Sequence, residues 1–334
     1  MKAKHFPLLS LVCALLLTMA WTPLGHSQSG HPDTSLNGHT WHIQRVDTPR
    51  FFQEMTDRSL RLDAQNHPHI AYGGDFLYYA WYDGTQWHSE IVDDSGGVGR
   101  YASLALDGDG NPRISYFDWT NEDLKYARWT GSGWDIQTVD SAGDVGEFTS
   151  LALDASGHPH ISYHDWTNHD LKYAYYDGSA WHTDPVDSAG WVGEYTSLAL
   201  DGDGNPHISY YDVTNRDLKY ARWTGSTWQI QPVDSAGDVG RGTSLALDGD
   251  GNPHISYYDY ANNDLKYARR PGSTWQIQTV DSAGWVGWYT SLALDADGKP
   301  HISYYDDTND DLKYAWGEIV ALKLIYLPLV LKGR

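Results

Sequence analysis

Two glutamates, Glu147 and Glu194, stand 47 residues apart in matching surroundings, Gly-Glu-Phe-Thr-Ser and Gly-Glu-Tyr-Thr-Ser. Two carboxyl groups about 5 to 10 Å apart are what glycoside hydrolysis needs, one as acid and the other as base or nucleophile. No neighbouring residue in the sequence raises the pKa of either, so they form a fallback catalytic pair. Rings and charges recur at the same spacing in Arg100-Tyr101, Glu194-Tyr195, Arg241-Gly242 and Trp288-Tyr289. A second column holds Trp119, Trp166, Val213, Tyr260 and Asp307. Aromatic faces stack on sugar C–H faces, while guanidinium and carboxylate groups direct hydrogen bonds to hydroxyls. Arg100, Tyr101, Trp119, Glu147, Trp166, Glu194, Tyr195, Arg241, Tyr260 and Trp288 are therefore the ligand-binding candidates. They fall on two loop sets, one before a first strand and one between a second and third, expected to ring one mouth of a central channel.

A further candidate set is acidic. The segment Asp-Gly-Asp-Gly-Asn-Pro at 107–112, 201–206 and 248–253 places Asp107, Asp109, Asp201, Asp203, Asp248 and Asp250 at the alternate spacing that opens a calcium loop. A calcium loop needs further ligands downstream, whereas here a proline and a strand follow at once. A hairpin turn accounts for the same Gly and Asn, so no metal and no cofactor is assigned. Histidine at 69, 160, 207, 254 and 301 follows the turn, with Arg113 in the same slot. Equivalent second-strand positions stand too far from an axis to converge on a metal, and a repeated packing role is expected.

The elements that position these residues come from a repeat. Ser103, Ser150, Ser197, Ser244 and Ser291 each open Ser-Leu-Ala-Leu-Asp at a period of 47, and Ser59 opens a divergent sixth copy. Each unit holds four short apolar or alternating segments, such as Ser197-Leu198-Ala199-Leu200, His207-Ile208-Ser209-Tyr210, Leu218-Lys219-Tyr220-Ala221 and Trp228-Gln229-Ile230-Gln231, separated by Gly, Asn and Asp turns. Four short antiparallel strands per unit make one propeller blade. The expected fold is all-β, a six-bladed β-propeller of four-stranded blades. The sixth unit lacks its Trp-centred fourth strand, and Trp41-His42-Ile43-Gln44-Arg45-Val46-Asp47 supplies a match to Trp134-Asp135-Ile136-Gln137-Thr138-Val139-Asp140. An N-terminal strand at 41–47 that completes the last blade and closes the ring is the expectation.

The ends set the compartment. Lys2 and Lys4 precede an apolar run with Leu15-Leu16-Leu17, which reads as a signal peptide over 1–27 and predicts a secreted protein. A linker over 28–40, the propeller over 41–317 and an apolar tail over 318–334 follow. Cys13, the sole cysteine, leaves with the signal, so packing and not disulfides holds the domain. Loss of Lys2 and Lys4 takes the net charge from −21 to −23, which excludes nucleic acid as a partner. No transmembrane span is expected in the mature chain. A monomer is expected.

The Ser-Tyr-Tyr-Asp and Leu-Lys-Tyr-Ala repeats resemble those of secreted bacterial propellers grouped with the sialidase-like, BNR-type superfamily, over residues 41–317. Gly225-Ser226-Thr227-Trp228 is similar to part of the Asp-box of that group, and Asp177-Gly178-Ser179-Ala180-Trp181 and Asp83-Gly84-Thr85-Gln86-Trp87 come nearer to it. That box is structural, so the resemblance implies a fold and no activity. The arginine cluster and Tyr/Glu pair of sialidases map onto no residues here. Near-identical blades favour repeated binding sites over one reaction centre, and Tyr210-Tyr211-Asp212 with Asn215 and Asp217 are either such sites or strand ends. The leading expectation is a non-catalytic, lectin-like propeller with an extracellular glycan partner. A sialidase-like hydrolase or lyase, and a protein-interaction scaffold, are the alternatives.

Overall fold

A computed structural model describes residues 58–317 together with Val46, Met55 and Thr56. Among these residues there are 23 β-strands, arranged as six antiparallel sheets with the strands of each in chain order. This is a six-bladed β-propeller. Blade 4 shows the pattern with strands Val192–Leu200, Pro206–Asp212, Asp217–Trp223 and Trp228–Asp234. Its first turn closes on itself: Gly204 N–H donates to Asp201 O at 3.0 Å, and Asp201 Oδ1 accepts the amides of Asp203 and Asn205. The carboxylate of each Asp-Gly-Asp-Gly-Asn-Pro segment is thus occupied in shaping a hairpin.

Consecutive blades touch through their innermost strands and by a repeated polar clasp. Tyr163 Oη donates to Asp140 at 2.6 Å, and Lys172 Nζ bonds the same carboxylate, joining blade 3 to the end of blade 2. Asp93 with Tyr116 and Lys125, Asp187 with Tyr210 and Lys219, Asp234 with Tyr257 and Lys266, and Asp281 with Tyr304 and Lys313 repeat it. Burial opposes the charge on Asp140, but the bonds from Lys172, Tyr163 and the Ala142 amide outweigh it and hold the pKa below the usual carboxylate range. Around the clasp lies an apolar layer such as Leu171, Tyr173, Val192, Leu198, Ile208 and Tyr210. Arg58, ahead of blade 1, donates to the carbonyl of Leu245 in blade 5 at 3.0 Å, so the run of blades curls back around an axis.

The sixth blade shows three strands among the described residues: Val286–Leu294, Pro300–Asp306 and Asp311–Trp316. The strand expected over 41–47 lies outside the described residues, apart from Val46, which packs against the cluster of Tyr72, Tyr78 and Ala80 in blade 1. The segments expected as signal, linker and tail also lie outside them. Among the described residues no helix is long and apolar enough to cross a membrane.

Candidate functional site

The site begins with a backbone irregularity. In blades 2 to 6 the innermost strand runs over nine residues, as in Val98–Leu106 and Val239–Leu247, and carries extra residues against its partner. Arg100, Tyr101, Glu147, Glu194, Tyr195, Arg241 and Trp288 therefore lie within strands, and not on loops ahead of them as the sequence predicts. A Val-Gly opening reads as loop, yet the glycine is there because the previous blade crowds it: a Cβ on Gly146 would stand 2.7 Å from Leu124 Cα. Two residues later the chain turns left-handed at Tyr101, Phe148, Tyr195, Gly242 and Tyr289, with φ of 54°, 53°, 55°, 57° and 52°. A left-handed residue in a bulge re-aims its side chain, here towards the axis that the inner strands surround. Ring contacts follow from blade to blade, Tyr101 to Phe148 and Phe148 to Tyr195, each at 4.7 Å between centroids.

Outside this aromatic arc lies a varied ring of partners. Arg100, Glu147, Glu194, Arg241 and Trp288 face Phe117, His164, Tyr211, Tyr258 and Tyr305 across the first strand pair. The Arg100 guanidinium lies 4.2 Å over the Trp119 ring. Arg241 sits 4.1 Å over Tyr260 and 5.3 Å from the Tyr211 ring, and its Nη2 donates to Asp238 Oδ2 at 3.0 Å. Tyr211 Oη also donates to Asp238, at 2.8 Å. Trp288 stands 4.4 Å from Tyr258 and 6.3 Å from Tyr260. Trp191 stacks on His169 at 4.5 Å and takes the edge of Trp166 at 5.2 Å.

Burial sets the charges. It pushes the Glu194 carboxyl up to about 7, against the opposing pull of Arg241 and the Trp191 side chain. Burial and then the charges of Glu122 and Asp165 raise Asp144 to about 6. Asp144 occupies in blade 3 the place of Asp238 in blade 5, where Arg241 is at hand. His164, fully buried with its Nδ1 3.0 Å from Val192 O, is driven down to about 4 by desolvation and stays neutral.

The predicted residues thus form three groups: Arg100 with Trp119; Trp166 with His169 and Trp191; and Glu194, Arg241, Tyr260 and Trp288. Tyr101 and Tyr195 belong to the arc, and Glu147 stands opposite His164. Trp191, Asp238, Asp144 and His164 escaped the sequence reading, and Tyr211 entered it only within the repeated Tyr-Tyr-Asp group. They too vary from copy to copy, at 144, 191, 238 and 285 and at 117, 164, 211, 258 and 305, and that variation marks them.

Other motifs resolve into structure. Tyr210 is fully buried in its clasp, and Asp212 closes a turn by accepting the Asn215 backbone and side-chain amides, each at 2.9 Å. Tyr210 and Asp212 thus serve the joint and the strand end, while Tyr211 between them lies beside Arg241. His69, His160, His207, His254 and His301 each bond a third-strand tyrosine through Nδ1, and Arg113 instead pairs with Asp107 at 2.6 Å. Among the described residues no three His, Cys, Asp or Glu side chains are grouped as a metal requires.

No protein-family model matches the chain, and no curated protein matches it in sequence. Solved structures do match. A protein of unknown function from Dyadobacter fermentans is 13% identical, with 79% of this chain and 96% of that one aligned at a TM-score of 0.56. A PL25 ulvan lyase, a polysaccharide lyase solved with -[GlcA(1-4)Rha3S]-, is 14% identical over 79% of this chain and 80% of its own, at 0.54. A Hadza microbial sialidase is 13% identical over 79% and 65%, at 0.52. The likeness is one of fold.

Proposed function

We propose that the protein is an exported, non-catalytic propeller that binds glycans at the mouth of its axial channel. The observation that carries this reading is the arc of axial rings together with large aromatic faces left open around it: Trp119, Trp166, Tyr260 and Tyr289 are each 41–48% exposed. Open faces beside guanidinium and carboxyl groups match what a sugar offers, an apolar C–H face and a rim of hydroxyls. Two propellers of the same fold, the ulvan lyase and the sialidase, carry carbohydrate activities in their names. The mature protein retained on a panel of immobilised polysaccharides tests the reading. Retention weakened about tenfold by Trp166→Ala combined with Tyr260→Ala is expected, a loss of about 1.4 kcal/mol, and silence across the panel overturns it. Export is checked by finding the chain outside the cytoplasm without residues 1–27.

One observation favours a second reading. A carboxyl held near 7 beside Arg241 is equipped to act as a general acid, which makes Glu194, with Glu147 as partner, the pair for a hydrolase or lyase. Release of oligosaccharide by the wild type but not by Glu194→Gln establishes that reading. Binding without turnover establishes the first.

A further inference from the structure

Among the described residues the arc has one gap. Four of the five left-handed positions carry aromatic rings, and the fifth is Gly242, between Tyr195 and Tyr289. A Cβ built on Gly242 would approach only the backbone of Tyr289, at 3.6 Å from N and 3.9 Å from Cα, which is ordinary contact. Apart from its two chain neighbours, no side-chain atom stands within 4 Å of that Cβ. Tyr289, on the far side of the gap, is 48% exposed, whereas Tyr101, Phe148 and Tyr195 are half-buried. The glycine is not required by its backbone, because tyrosine and phenylalanine hold the same φ within a few degrees in the sister blades. An absent ring in an otherwise repeated collar is thus a difference in space and not in strain.

On the basis of the glycan-binding reading, we infer that the gap at Gly242 seats one neutral sugar ring, with Tyr195 and Tyr289 as its walls and Glu194 and Arg241 as its hydrogen-bonding partners. A pyranose is about as large as the aromatic ring that the sister blades carry at this position. Glu194 and Arg241 immediately precede Tyr195 and Gly242 in their strands, and each charge acts on the Tyr195 hydroxyl. Neutrality of the ligand follows from charge: Arg241 is matched by Asp238, and the chain carries a net −21, which repels acidic sugars. Among the described residues the gap occurs once and gives one site, although the blades around it repeat.

The test restores the missing ring. Gly242→Tyr and Gly242→Phe copy the sister blades, so both variants fold, with Tm unchanged or raised. Retention of wild type, both variants and Gly242→Ala is compared on immobilised β-glucan, xylan, galactan, mannan and polygalacturonate. The expected result is binding to a neutral polysaccharide that falls at least tenfold in Gly242→Tyr and Gly242→Phe and survives in Gly242→Ala. Wild-type binding that both ring-filling variants keep overturns the site and leaves the glycan reading intact. Retention on polygalacturonate alone overturns the neutral ligand. Silence of the wild type on every matrix overturns both readings together.

Discussion

Blades 5 and 6 carry the same segment, Asp-Leu-Lys-Tyr-Ala at 264–268 and 311–315, in opposite surroundings. Leu265 is fully buried and Tyr267 is 5% exposed, whereas Leu312 is 80% exposed and Tyr314 is 55% exposed. The difference comes from the next blade: Gly287 brings its backbone onto Leu265, as Gly146 does onto Leu124, and among the described residues nothing covers Leu312. Blade 1 shows the complementary opening, with Leu60 half exposed where Leu104, Leu151 and Leu198 are buried. A propeller blade is therefore not a self-sufficient unit. Each is completed by its successor, and the stability of the array is a sum of such joints.

The clasp carboxylates give the sharpest way to measure this. Asp187→Ala strips the buried Tyr210 hydroxyl of its acceptor and leaves Lys219 only the Asp212 carboxylate, 3.4 Å away, at an expected cost of about 3 kcal/mol. Asp281→Ala at the looser joint, where the Lys313 side chain is 32% exposed, costs about 1 kcal/mol. Urea titrations of the two variants giving equal losses would break the distinction between inner and outer joints. Comparable in size is the apolar layer: Leu265→Ala loses about 3 kcal/mol by emptying a filled site, and Leu312→Ala stays within about 0.5 kcal/mol of the wild type. A large loss for Leu312→Ala would show the ring shut over that leucine. A separate test concerns the open edge. We propose that residues 41–47 pair with the strand Asp311–Trp316, and that deleting them lowers Tm by about 5 °C in a thermal scan.

Much of the architecture was legible because Ser-Leu-Ala-Leu-Asp and its companions repeat word for word, and the turn glycines and asparagines mark where each strand stops. The innermost strands were read short, from Ser103 where the structure begins at Val98, because a Val-Gly start followed by a bulge breaks the alternation that announces a strand. The clasp was legible in principle: its tyrosine and lysine follow the aspartate at fixed offsets of 23 and 32 residues in five copies. It went unread because those partners belong to different strands of different units. The same reason separates the mouth residues. Arg100 with Trp119 and Arg241 with Tyr260 sit in one blade each, so a reading unit by unit contains both contacts. The stacking of Trp191 on His169 crosses from blade 4 to blade 3, and a repeat read unit by unit does not contain that contact.

The clasp also has a direction. Its carboxylate always comes from the earlier blade and its hydroxyl and ammonium from the later one, as Asp93 accepts from Tyr116 and Lys125. A joint of this kind is head-to-tail: copies related by it close into a ring when the rotation allows, and otherwise run on as a fibre. Among the described residues, blades 6 and 1 present the two unlike halves of such a joint. A molecule that failed to seal itself would seal onto its neighbour, linking chain to chain through the joint that recurs five times among its described residues.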